Sequence, residues 1–481
     1  MNGPRFTDGR VPDAGIRSLF ALEHRWQRWL DVEGALAAAQ ADVGMVPHAS
    51  AEAIGAAARL ERLDVERIHR GIAETSHPLM ALIVELARAA GEPHGGWVHW
   101  GVTTQNITQT GDVLVLREAH AVLLDLLAGV LDAAADLAEH GADVVLAGRT
   151  HGQHAVPITF GFKAAVWIDE LSRHVTRLGH AADHAFRAMS GGAAGTFAGL
   201  GPDGPTVQVG VARRLGLTPM TVPARSIADP FAEYVCALGI LASTSGRIAR
   251  DVALLMTTEV AEVAEPQPPA TVGSSTMPHK RNPQLSQDVI AITAQIRALV
   301  PLALEGMVQD HEGNGAGTAI MDDVLARACV LSGDALTRLV VILDGLELDP
   351  ERMRRNLELT DGLISSEAVM LALGRIIGRQ HAHDVVSEAA RAATSDGRRF
   401  VDALAADPRV APHLDATAIT ALLDPSHHTG RSSQIAHDGA LLARTLAAQL
   451  RGGGQRAPGS APARPPPRGP RRAGRRRPGT T

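Results

Sequence analysis

Cysteine is nearly absent. Cys236 and Cys329 are the only two in 481 residues, which excludes a disulfide framework and agrees with a reducing compartment. Aromatic residues make up 3% of the chain although hydrophobic residues make up 45%. A sizeable core must therefore come from Ala, Leu, Val and Ile, which suits closely approaching helices. No unbroken run of about 18 apolar residues occurs, so no membrane span is indicated. The polar stretch Met1–Arg10 lacks the apolar region of a signal peptide. A soluble, cytoplasmic protein is expected. A net charge of −6 gives no general attraction to nucleic acid. The one basic stretch, residues 452–481, is Gly, Pro, Ala and Arg without interleaved aromatics. It cannot bury enough surface to order itself and reads as a disordered tail that binds no nucleic acid.

Segments with the two-residue period of a strand are missing at any strength comparable to the helical ones. What is present is long helical periodicity. Leu19, Leu22, Trp26, Leu30, Val32 and Leu36 share one face of a helix over 18–44, closed by Gly44 and Pro47. Shorter helices are expected at 50–60 and 64–70. Longer patterns follow at 112–140, 157–189, 232–263 and 285–307. Helices of this length are supported by their neighbours, not by propensity, so an all-α fold built on a bundle of long helices is expected. The organisation read from these patterns is an N-terminal helical domain (1–110), a central bundle (111–348), a C-terminal helical domain (349–451) and the tail.

Polar loops interrupt the helices at four places. Glu74-Thr-Ser-His-Pro78 holds His77, and a lone histidine in a loop is more often a cap or a surface group. Trp97-Val-His-Trp-Gly-Val-Thr-Thr-Gln-Asn106 places His99, two hydroxyls (Thr103, Thr104) and two carboxamides (Gln105, Asn106) around Gly101. Such groups hydrogen-bond an anion without adding charge, although a helix N-cap would need only one of them. Gly148-Arg-Thr-His-Gly-Gln-His-Ala-Val-Pro157 carries Arg149, Thr150, His151 and His154. The fourth, Gly273-Ser-Ser-Thr-Met-Pro-His-Lys-Arg-Asn-Pro283, lies between a proline-rich helix stop and a new apolar pattern. It combines adjacent hydroxyls (Ser274, Ser275), Met277, the ammonium of Lys280 and the carboxamide of Asn282. Its chemistry is that of an anion-binding loop containing a serine able to act as a base.

This last pattern, Gly-Ser-Ser-x-Met-Pro-x-Lys-x-Asn, resembles the signature loop of the aspartase/fumarase superfamily, in the branch of 3-carboxy-cis,cis-muconate cycloisomerase and adenylosuccinate lyase. Thr103–Asn106 and Thr150-His151 are similar to the family's other two signature regions, in the same order along the chain. The resemblance implies a three-domain helical fold whose long helices form a twenty-helix core in a homotetramer. Each active site would then combine regions from three subunits. It implies anti elimination from a succinyl compound through an aci-carboxylate, with fumarate released and no metal or organic cofactor. Ser274 would be the base. Lys280, Asn282, Ser275 and Met277 would surround the substrate, Thr150 would bind a carboxylate, and His151 would be the general acid or hold the acidic water. His77 and His99 would lie near the substrate, with Arg149 available to an anion. His154 stands where it could simply cap the next helix. His381 and His383 are two residues apart, so a helix points them to different faces, and no metal is expected there.

The departures bear on the substrate. Asn106 stands where the related cycloisomerases and adenylosuccinate lyases carry Asp. Ala228 and Pro230 stand where arginines are usual, and the segment that holds a nucleotide phosphate is missing. Gln287 occupies the place of a Glu that raises the basicity of the catalytic histidine. Together these imply a compact 2-substituted succinate whose substituent leaves as a stable anion, nitrite from nitrosuccinate being the best specific candidate. Competing readings are an intramolecular cycloisomerase, an adenylosuccinate-lyase-like C–N lyase, and a non-catalytic relative of the crystallin kind.

Overall fold

A computed structural model describes residues 5–268, 270–272, 275–277 and 279–453. The chain opens with a short arm and α1 (Ile16–Leu19), then α2 (Leu22–Asp42), α3 (His48–Ala57), α4 (Val65–Thr75) and α5 (Met80–Ala90). The long helix α6 (Thr104–His140) follows. A hairpin of β1 (Val145–Thr150) and β2 (Gln153–Thr159) leads into α7 (Phe160–Ala185). Short β3 (Arg187–Ala188) flanks α8 (Gly204–Leu215) and pairs in parallel with β4 (Thr218–Pro219). Next come α9 (Asp229–Leu255), β5 (Val263–Ala264), α10 (Gln284–Gly306) and α11 (Gly315–Asp344), with β6 (Glu347–Leu348) antiparallel to β5. The chain closes with α12 (Pro350–Glu358), α13 (Ser366–Ile377), α14 (Arg379–Asp396), α15 (Phe400–Ala406), α16 (Ala416–Leu423) and α17 (Ser432–Gly453). The all-α expectation is met.

At 1.5 Å per residue α6 runs about 55 Å, and it packs against α2, α7, α11 and α17. Its buried face is mostly Leu, Val and Ala, including Leu116, Leu123, Leu127 and Leu131. Small residues allow the close approach that scarce aromatics require elsewhere. At Gly111 a Cβ would lie 2.4 Å from Cδ1 of Trp29, so glycine lets α6 lie against α2. A first apolar cluster joins α6, α7, α9, α10, α11 and α17. A second joins α2 to α5 with α8 and the start of α6. A third is confined to α13–α16. The last helix thus returns to the long bundle and does not stay with the four helices before it.

Several boundaries differ from the sequence expectation. Helix α6 begins eight residues early, because Thr103 caps it. Helix α9 stops at Leu255, and α7 starts at Phe160, since 153–159 is a strand. Helix α10 is long and apolar enough to cross a membrane, with a mean hydropathy of 1.5 over its most apolar window. It packs between α9 and α11, and Leu285, Val289, Ile292, Ile296 and Leu299 are buried in the bundle.

Candidate active site

The first polar segment is built around the N-terminus of α6. Thr103 and Asn106 form a reciprocal cap, in which Asn106 Oδ1 accepts from Thr103 N at 3.1 Å. The same oxygen accepts from Gly192 N at 3.0 Å, tying the segment to the small-residue turn 190–196. Gln105 Oε1 accepts from Arg225 Nε at 2.8 Å, and Gln105 Nε2 donates to the Arg225 carbonyl at 3.1 Å. Arg225 also reaches the carbonyl of Ala193 at 3.4 Å. Arg225 thus stands a few residues before Ala228 and Pro230, the positions where arginines are usual. The signal in the sequence is a single cation in an otherwise uncharged loop, 216–228.

Two histidines close on this segment. His77 Nδ1 accepts from the N–H groups of Leu79 and Met80 at 3.2 and 3.0 Å, at the start of α5. An imidazole nitrogen that accepts carries no proton, so the ring proton of the neutral form is on Nε2. That nitrogen lies 3.3 Å from Thr104 Oγ1, to which it can donate. His99 adopts the left-handed region (φ 61°) and places Nδ1 2.6 Å from Oε1 of Glu33, a buried carboxylate on α2.

The second segment is the hairpin. Thr150 pairs with Gln153, so His151 and Gly152 are the two-residue turn, with φ of 53° and 75°. Positive φ at both positions is the mirror-image turn that suits the twist of a hairpin. Thr150 and His151 are exposed at its tip. Arg149 is held inward: its guanidinium makes a bidentate pair with Glu262 at 2.9 and 2.6 Å, and Asn356 donates to the same carboxylate at 2.8 Å. Glu262 is fully buried. Such a planar fork on a carboxylate is a strong, directional contact, and it gives Arg149 a folding role. His154 lies on β2 and does not cap α7; the Thr159 side chain does, accepting from Phe162 N at 3.2 Å. Burial, and next the Arg149 charge, push the His154 pKa down.

Ser274, the expected base, lies outside the described residues, as do Gly273 and Pro278. Ser275, Met277 and Lys280 of the same loop are exposed, while Asn282 is half-buried. The loop is anchored at its ends. Glu265, fully buried, accepts from Leu285 N, Ser286 N and Ser286 Oγ at 3.0 to 3.1 Å and so caps α10. Gln267 Nε2 donates to the Asn282 carbonyl at 3.0 Å. Gln287 sits exposed on the first turn of α10.

The bundle and its polar helix ends give a scaffold, and the relatives of the chain give its class, a lyase of the elimination type. The chain belongs to the aspartase/fumarase superfamily, in the branch of the muconate cycloisomerases and adenylosuccinate lyases. The family model described as "Lyase" matches residues 10–298, and the one described as "Adenylosuccinate lyase C-terminus" matches 362–438. The N-acetyl-S-(2-succino)cysteine lyase of Enterococcus italicus is 36% identical over 87% of this chain and 91% of its own. The 3-carboxy-cis,cis-muconate cycloisomerase of Pseudomonas aeruginosa is 39% identical over 87% and 92%. The crystal structure of a fumarate lyase from Mesorhizobium sp. BNC1 superposes with a TM-score of 0.84 at 34% identity, over 92% of this chain and 99% of that one.

Proposed function

We propose that the protein catalyses anti β-elimination from a small 2-substituted succinate, releasing fumarate, with nitrosuccinate as the best specific substrate and nitrite as the anion that leaves. Ser274 removes the proton next to a carboxylate. The resulting aci-carboxylate dianion is the costly species, so the donors already in place around it carry most of the rate. Lys280, Asn282 and the loop N–H groups supply those donors. His151, with His77 positioned through Thr104, handles the proton on the leaving side. Family membership and the full set Ser274, Lys280, Asn282 and His151 support the elimination. In this reading the enzyme works in the cytoplasm without a cofactor.

The observation that carries the leaving-group reading is Gln287. A carboxylate there would stabilise an imidazolium; a carboxamide does so far less, which suits a substituent that needs little help from an acid. Absence of the phosphate-holding segment supports a compact substrate. A thiolate also leaves as a stable anion, and the Enterococcus italicus relative is named for a succinylated cysteine, so a 2-succinyl thioether is the second reading.

The test is fumarate release, followed by ultraviolet absorbance, from nitrosuccinate, a succinylcysteine, aspartate and malate, with lactone formation from 3-carboxymuconate alongside. Nitrosuccinate is expected to be used best, and Ser274→Ala to lower kcat by about 10²–10⁴-fold. Efficient use of aspartate or malate with none of nitrosuccinate, or lactone formation alone, would overturn it.

A further inference from the structure

We propose that the N-terminal arm, Arg5–Arg10, is a strap that sets the position of the signature loop through its two ends, with Arg10 as the positioning residue. Nη1 of Arg10 donates to Gln284 Oε1 at 2.9 Å, and Nη2 donates to the carbonyl of Pro266 at 2.8 Å. Pro266 lies just before the loop and Gln284 is the first residue of α10 just after it. One guanidinium therefore bridges the segment that enters the loop and the segment that leaves it.

The arm has its own anchor. Arg338 of α11 is 2% exposed, donates to Thr7 Oγ1 at 3.1 and 3.2 Å, and pairs with Asp8. Thr7 also donates to Asp288, one turn along α10 from Gln284. Arg5 adds an ion pair to Asp334 at 3.5 Å. A buried cation with most of its side-chain partners on the arm resists peeling, because removing them leaves only the longer pair to Asp288 at 3.5 Å. Arg10 is committed in the same way: its Nε is buried without a partner, so it is not a solvated surface charge that touches the loop ends by chance.

Beneath it, Glu265 caps α10 from the entering side. Burial pushes the Glu265 pKa up, and Arg10 is among the groups that oppose this by favouring the carboxylate. Arg10 thus supports both the bridge and the cap. A loop that carries the base and the carboxylate-binding groups must place them closely, since a misplacement of about 1 Å can cost 10²-fold in rate. The fork geometry also explains arginine at this position, because a lysine supplies a point charge and cannot span both acceptors in one plane.

This inference rests on the elimination reading for its activity arm only. With nitrosuccinate or the best substrate found, Arg10→Ala should lower kcat by about 10- to 100-fold, more than it raises KM. Arg10→Lys should recover part of that loss. Hydrogen exchange of full-length protein should quicken at 279–286 in Arg10→Ala, with the α6 amides unchanged. Arg17→Ala, which removes only an exposed pair to Asp334, should leave kcat within about twofold, as surface pairs contribute little. Should Arg10→Ala fail to fold, Gln284→Ala removes the same bridge from the other side. A kcat within about twofold and unaltered exchange at 279–286 would refute the strap, as would exchange that quickens across the whole chain in step with lost activity. If no succinate is turned over, the elimination reading fails while the exchange result still decides the strap.

Discussion

At the scale of single residues, the pair Arg149–Glu262 ties an expected substrate ligand to the scaffold. An arginine before a Thr-His pair invites an anionic substrate, but the carboxylate that claims it is 113 positions away in the chain and fully buried. Removing one partner of such a pair typically costs 3–5 kcal/mol, roughly, because the other charge is left behind in a poor solvent. Arg149→Ala should therefore lower the melting temperature sharply. The double change Arg149→Met with Glu262→Leu should recover much of it. Thermal denaturation of the parent and the two variants is the measurement; an intact melting temperature with a raised KM in Arg149→Ala would return the residue to substrate binding. The sequence pointed to His77 and His99, yet not to Thr104 and Glu33 as their partners, because those contacts close loops of 27 and 66 residues. Local spacing cannot encode them.

At the scale of elements, the long helices were legible because each carries a strong apolar period, and the hairpin was not. Its strands lack clean alternation: Leu146 and Ala147 are both buried although adjacent, and the register shifts between Ala147 and Arg149. Its turn is His-Gly, and the commonest dipeptides at such turns are Asn-Gly and Asp-Gly. The early start of α6 was hidden similarly, since Thr104–Gly111 is mostly polar and its reciprocal cap uses Asn where Glu or Gln is usual. Position 152 tests the hairpin. Its φ of 75° costs a residue with a side chain roughly 1–2 kcal/mol, and nothing lies within 4 Å of a Cβ there. Gly152→Val should therefore misplace His151 without disturbing the bundle: kcat falls about tenfold or more while the melting temperature moves little. An unchanged kcat in a folded variant would mean that the tip does not work in catalysis.

At the scale of the whole molecule, two consequences follow from a bundle packed almost entirely by aliphatic side chains. Two of its buried histidines favour the neutral form. His120 lies against Tyr234, and His174 against Thr244. Burial lowers the pKa of each from 6.5 to about 4, with Arg177 and Arg173 adding to the shift at His174. A histidine pKa depressed by folding means that the unfolded chain binds more protons between about pH 4 and 6.5. Stability from these residues is complete above pH 6.5 and is lost as the pH falls toward 4, on the order of 3 kcal/mol each. Urea titrations of the parent and of His120→Phe between pH 4 and 7 should show a shallower slope in the variant; equal slopes would exclude His120. The second consequence concerns surfaces left uncovered. Val166 on α7, Ile240 and Leu254 on α9, and Leu302 and Leu304 on α10 are exposed, as are Thr150 and His151 at the hairpin tip and Ser275 and Lys280 of the signature loop. Both features fit the proposed homotetramer, in which each site takes Ser274 and His151 from different subunits. Co-expressing Ser274→Ala with His151→Ala chains then restores intact sites wherever a native serine meets a native histidine. For random mixing at equal amounts that is about a quarter of all sites, against none in either parent tetramer. Activity near a quarter of the unmodified enzyme, appearing only after the subunits are mixed, is the expected result. No recovery despite proven mixed tetramers would place both residues in one chain, and a fully active monomer by light scattering would remove the shared site altogether.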